Sequence, residues 1–156
     1  MDINLNSFDP RMVKVFQAAI RFTSHMKHEF IGSEHLLWAL SQDTGAAGQA
    51  LRKNGLQPNL IEEYLHQYDF SAAAGGNFRA IQMSGEAEQL LRLAESSAKA
   101  AGHEKLEPED LLRSILDAGE CAASQLLLSL ETAPEEIRKD LEKVRETGFY
   151  RPPEAQ

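Results

Sequence analysis

The 156-residue chain is 42% apolar and 26% charged, with a formal charge of −8, which suits one domain or two small halves around a shared interior. Its 20 Leu and 20 Ala against 14 Val, Ile and Thr together favour helix and argue against a sheet protein, since strands enrich the β-branched types. The acidic balance removes the phosphate attraction of most nucleic-acid binders, and no apolar run approaches the roughly 18 residues of a membrane span. The acidic, polar start Met1-Asp2-Ile3-Asn4 is not a signal peptide.

Residues 1–8 read as an N-terminal arm. A first helix is expected from Pro10 to about Lys27, with Asp9 as N-cap and Pro10 at the first helical position. A second runs from Ser33 to about Gln42 and a third from Ala46 to Lys53, stopped by Asn54-Gly55. A fourth opens at Pro58 with Leu60, Ile61, Tyr64 and Leu65 inward. Asp69 to Gln82, with Ala72-Ala73-Ala74-Gly75-Gly76-Asn77, reads as a flexible connector. Four more helices are expected near Gly85, Pro108, Cys121 and Ala133, the last with a capping box formed by Thr132 and Glu135. Residues 148–156 contain Pro152-Pro153, cannot continue a helix, and read as a tail or a linker, weakly favouring truncation of a longer chain.

The second set of helices repeats the first. Shifting the sequence by 75 positions lays Asp9–Leu51 on Ser84–Leu126 with eight identities over 43 positions. The identities include His28 with His103, Glu34 with Glu109, and Leu36-Leu37 with Leu111-Leu112. A one-residue insertion after Leu126 then aligns Pro58, Ile61 and Leu65 with Pro134, Ile137 and Leu141. The stripe Met12, Val15, Phe16, Ala19, Thr23, Met26 maps onto Ala87, Leu90, Leu91, Ala94, Ala98, Ala101, both at helical spacing. The units are therefore residues 9–68 and 83–147. Their charge differs: residues 1–68 carry 6 basic and 7 acidic side chains, residues 69–156 carry 10 and 17.

No phosphate-loop motif and no nucleophile elbow is present. The lone Cys121, beside Glu120, reads as a small packing residue in a reducing compartment rather than a catalytic thiol. The histidines His25, His28, His35, His66 and His103 lack zinc-ligand spacing. His28 and His103 instead stand just past each unit's first helix, where imidazole can bond free carbonyls. Trp38 lies off the face of Leu36, Leu37 and Leu40, so partial exposure is expected. Glu34 and Glu109 each sit in the first turn of their unit's second helix. There a carboxylate complements the helix dipole, or is poised for a guanidinium.

The run Phe30-Ile31-Gly32-Ser33-Glu34-His35-Leu36-Leu37-Trp38-Ala39-Leu40, following His28, strongly resembles the N-terminal repeat domain of Clp unfoldases of the ClpC, ClpA and ClpB type. Gly45-Ala46-Ala47 and Gly119-Glu120-Cys121-Ala122-Ala123 echo a further family pattern, and the likeness spans about residues 7–147. In the second unit the motif has shrunk to Leu106-Glu107-Pro108-Glu109-Asp110-Leu111-Leu112. Asp9 and Ser84 stand where the family often has Thr.

The resemblance implies an all-α fold of two four-helix repeats packed with pseudo-twofold symmetry. It implies a domain that does no chemistry itself, and the residues add the expectations of a monomeric, cytoplasmic domain that takes no cofactor or metal and contacts neither nucleic acid nor membrane. Its partners would be protein substrates and adaptors, delivered to the ATPase ring modules of the same parent chain in a bacterial Clp protease or disaggregase. The rival readings are a stand-alone interaction or regulatory protein of the same fold, and a small hydrolase or metal protein using the histidines. ClpC-type relatives further imply phosphoarginine recognition, with Glu holding the guanidinium and a hydroxyl holding the phosphate. On that basis Glu109 with Ser84 is the expected site, while Glu34 is weakened by Asp9, whose carboxylate would repel phosphate.

Overall fold

The computed structural model describes residues 5–28, 30–67, 82–118 and 121–147. Most of the expected connector, and the whole tail, lie outside these residues. Among the described residues a single 3₁₀ turn, Leu5–Ser7, precedes eight helices. The first unit contributes α1 (Pro10–His25), α2 (Ser33–Leu40), α3 (Ala46–Lys53) and α4 (Pro58–Gln67). The second contributes α5 (Gly85–Ala100), α6 (Pro108–Ala118), α7 (Ala122–Ser129) and α8 (Pro134–Thr147). The all-α expectation holds, with proline opening α1, α4, α6 and α8 as its fixed φ and missing N–H allow.

Several boundaries differ from expectation for local reasons. Helix α1 ends at His25 because Lys27 turns left-handed, φ 63°; its counterpart in the second unit is Gly102, φ 88°. Likewise Gly55, φ 87°, stands opposite Glu131, φ 57°. Each pair puts one glycine and one larger residue at the same helix stop, where only glycine is free of the Cβ penalty. The Thr132–Glu135 capping box does not form. Pro134 takes the first helical position, so Ala133 becomes the cap, and the Thr132 hydroxyl donates to Leu130 O at 3.4 Å. The N-caps of α3 and α7 are Gly45 and Cys121, so the one-residue insertion falls before α7 rather than after Leu126.

A feature not foreseen ties the units together. Residues Phe30–Ile31 (β1) pair in parallel with Gln82–Met83 (β2), so the end of the expected connector is a short strand. The symmetry-related bridge joins Phe8 to Leu106. In both cases the segment before one unit's first helix is bonded to the segment before the other unit's second helix. Asp9 N donates to Leu106 O at 2.8 Å, and Ser84 N donates to Ile31 O at 2.9 Å. The start of α1 is thereby held beside α6, and the start of α5 beside α2.

One continuous core lies beneath both crossings. Met12, Phe16, Leu36, Leu37 and Leu40 from the first unit pack in the same cluster as Leu90, Leu111, Leu112 and Ile115 from the second. Helix α3 packs against α8 across the units, with Asn54 Nδ2 donating to Asp140 Oδ2 at 2.8 Å. Trp38 is half-buried, as expected, and stacks on Phe22 with ring centroids 3.9 Å apart.

Candidate functional site at the crossed helix N-termini

Each crossing brings three helix N-termini together, which concentrates unpaired backbone N–H groups and positive dipole ends in one place. At the first, α1, α6 and α3 converge. Glu109 is buried there, accepting from Arg11 Nη2 at 2.7 Å and from Ala47 N, in the first turn of α3, at 3.1 Å. Arg11 also reaches Asp43 Oδ2 at 3.5 Å and lies 4.0 Å from the Asp9 carboxylate, which caps α1 through Arg11 N. Burial pushes the Asp43 carboxyl up, and the Arg11 guanidinium offsets part of that. This junction already holds a guanidinium, and the guanidinium is the chain's own.

At the second crossing, α5, α2 and α7 converge. The residue equivalent to Arg11 is Glu86. Its carboxylate accepts from Ser33 Oγ at 2.9 Å and from Ala122 N at 3.1 Å, while Ser33 Oγ accepts from Ala123 N at 2.9 Å. Glu34, the counterpart of Glu109, is buried beside it; burial pushes its carboxyl above the usual range, its own backbone N–H offsets part of that, and the Glu86 charge adds to the rise. Ser84 caps α5, its Oγ accepting from Ala87 N at 3.1 Å.

The three expected site residues therefore combine differently from the sequence reading. Ser84 shares a junction with Glu34, and Asp9 shares one with Glu109, because each site is assembled across the two units. Sequence reasoning missed Arg11, Asp43, Ser33 and Glu86. The available signal was the 75-residue shift itself, which sets Arg11 against Glu86.

The histidines also bond differently from expectation. Gly32 N donates to His35 Nδ1 at 2.9 Å, so His35 Nε2 carries the hydrogen and donates to His28 Nδ1 at 2.7 Å. In the second unit Asp110 replaces His35, its Oδ2 accepting from Glu107 N at 2.9 Å and lying 3.2 Å from His103 Nδ1. Both histidines thus bond side chains of the second helix. His103, Glu107 and Asp110 offer three atoms within 4.8 Å of one another, the spacing a metal would need. The Asp110 oxygen is already spent on two donors there, and the positive end of α6 disfavours a cation.

Burial, followed by the neighbouring His28, lowers His35 to about 3 from an ordinary 6.5. The unfolded chain therefore takes up a proton below pH 6.5 that the folded chain refuses, and stability falls with acidification by about 1.4 kcal/mol per pH unit from this group. In an NMR titration the His35 ring is expected to stay neutral at pH 5. A midpoint near 6.5 would contradict the buried His28–His35 bond.

The family model of the Clp repeat (R) N-terminal domain matches residues 6–68 and 82–149. The chain belongs to this family. A chloroplastic ClpC chaperone of Pisum sativum is 27% identical over 134 residues, covering 84% of this chain and 14% of that protein. A ClpA homologue of Guillardia theta is 26% identical over 141 residues, covering 88% of the chain and 16% of the relative. The chain thus spans about 14% of the length of the curated ClpC relatives it matches. The N-terminal domain of ClpD from Arabidopsis thaliana superposes with a TM-score of 0.70 at 11% identity, covering 90% of this chain and 98% of that one. The Hsp104 N-terminal domain of Candida albicans gives 0.72 at 12%, covering 89% and 91%. These solved structures share the Clp N-domain fold of two interlocked repeats. Among the described residues no helix is long and apolar enough to cross a membrane.

Proposed function

We propose that this Clp N domain is a non-catalytic docking module that receives protein substrates and adaptors for an ATP-dependent Clp ATPase ring. The observation that carries the reading is the match of both repeats to the family model. In a degradation assay with a full-length ClpC-type ATPase, its protease and an adaptor, a large molar excess of the isolated chain is expected to slow client turnover by sequestering adaptor and client. Unchanged turnover would contradict the reading. A reading frame continuing past Gln156 into a phosphate loop separates a ring-borne domain from a stand-alone interaction protein.

A second reading, phosphoarginine recognition, is favoured by the first junction, where Glu109 binds a guanidinium between helix N-termini. Arg11 occupies that carboxylate, so the candidate for an external ligand moves to Glu34, with the Ser84 hydroxyl as phosphate donor. Glu86 speaks against tight binding, because it lies where Arg11 lies in the other unit. Calorimetric titration with free phosphoarginine is expected to give weak heat that Glu34→Ala abolishes and Glu109→Ala leaves in place. The absence of heat with the unaltered chain would remove this reading.

A further inference from the structure

A groove of about 510 Å³ runs between the outer face of α1 and the turn from α2 to α3. Arg11, Lys14, Ala18 and Arg21 form one stripe along it at helical spacing. Val15, Ala18 and Ala39 supply apolar lining, and Gln17, Gln42 and Thr44 supply polar lining. Lys14 and Arg21 are exposed. Among the described residues, neither side chain has an ion-pair or hydrogen-bond partner. Asp43 also lines the groove, but it is buried and accepts from Gly45 N at 3.0 Å as well as from Arg11.

A concentration of cations is unexpected in a chain of net charge −8. Three of the six basic residues in the first 68 positions line this one groove. The equivalent face of the second unit provides the comparison. There Glu86, Gln89, Leu93 and Ser96 replace Arg11, Lys14, Ala18 and Arg21, and Asp117 replaces Gln42. Its arginine, Arg92, lies 3.7 Å from Glu88 on the same helix. The same backbone thus carries a cationic groove in one unit and none in the other, so the fold alone does not require it.

We infer that this groove docks an acidic, extended peptide segment of a partner protein. Carboxylates would pair with Lys14 and Arg21 at the open edge, while aliphatic side chains would lie over Val15, Ala18 and Ala39. A short segment fits the charge distribution better than a nucleic acid. The local cations attract a few carboxylates, whereas the whole chain repels a long polyanion. The surface goes beyond the ring-docking reading and stands independently of it, since its test uses the 156-residue chain alone and not client turnover.

The probe is a fluorescein-labelled peptide of alternating Glu and Leu, followed by anisotropy at low and at physiological salt. Binding is expected to weaken as salt rises. In Lys14→Glu/Arg21→Glu, affinity is expected to fall about tenfold or more with the melting temperature unchanged, because both residues are exposed and unpaired. Gln89→Glu/Ser96→Glu, which adds the same two negative groups to the equivalent face, is expected to bind as the unaltered chain does. Equal binding by the Lys14/Arg21 variant, or no binding by the unaltered chain, would overturn the proposal. So would preferential binding of a single-stranded oligonucleotide that is lost in the same variant.

Discussion

Glu109→Ala is expected to destabilise the chain by roughly 2–4 kcal/mol, because it takes the shortest carboxylate contact from a half-buried guanidinium and leaves a buried backbone donor without its acceptor. Glu109 is 3% exposed and joins Arg11 of the first unit to α6 of the second, while also satisfying Ala47 N. Its partner is partly open to water, with 22% of the Arg11 side chain exposed, which keeps the cost below that of a fully buried pair. Urea denaturation measures it. A change under about 0.5 kcal/mol, the range of an ordinary surface substitution, would mean that the pair does not hold the two units together.

Leu37→Ala and Leu112→Ala are each expected to cost roughly 2–5 kcal/mol through lost burial and the cavity left behind. Both residues are 0% exposed and occupy the same position in the second helix of their units. Because the two units share one core, each variant is expected to lower a single cooperative transition rather than melt one half first. A nearly neutral result at one position, or two separate transitions, would contradict the pseudo-symmetric core.

The repeat was legible because local chemistry writes it twice. Pro10, Pro58, Pro108 and Pro134 mark helix starts, and the stripe from Met12 to Thr23 marks a buried face that α1 does bury. Even the early end of α1 had a signal in Gly102, whose left-handed turn the first unit repeats with Lys27. The crossing between units had none. Strands of two residues carry no period, and the bridge from Phe8 to Leu106 joins positions that nothing local connects. The candidate site depends on that crossing, so the sequence reading paired Ser84 with Glu109 and Asp9 with Glu34 within units, whereas the structure groups them between units. The contacts of His28 and His103 were read as bonds to nearby free carbonyls at the helix end. The structure also brings to them side chains seven residues on, His35 and Asp110, through the turn into the second helix.

Glu34 and Glu109, equivalent positions of the two repeats, sit in opposite electrostatic surroundings. The most direct measurement compares Glu34→Gln with Glu109→Gln in urea denaturation at pH 7. Burial and Glu86 raise the Glu34 carboxyl. Its ionised form therefore costs stability at neutral pH, and that cost vanishes once the pH falls below the ordinary value of 4.5, where both states are protonated. Glu34→Gln is expected to raise the midpoint at pH 7 and to lose that gain below pH 4.5, while Glu109→Gln lowers the midpoint by uncoupling Arg11. Shifts of the same sign at pH 7 would contradict the account.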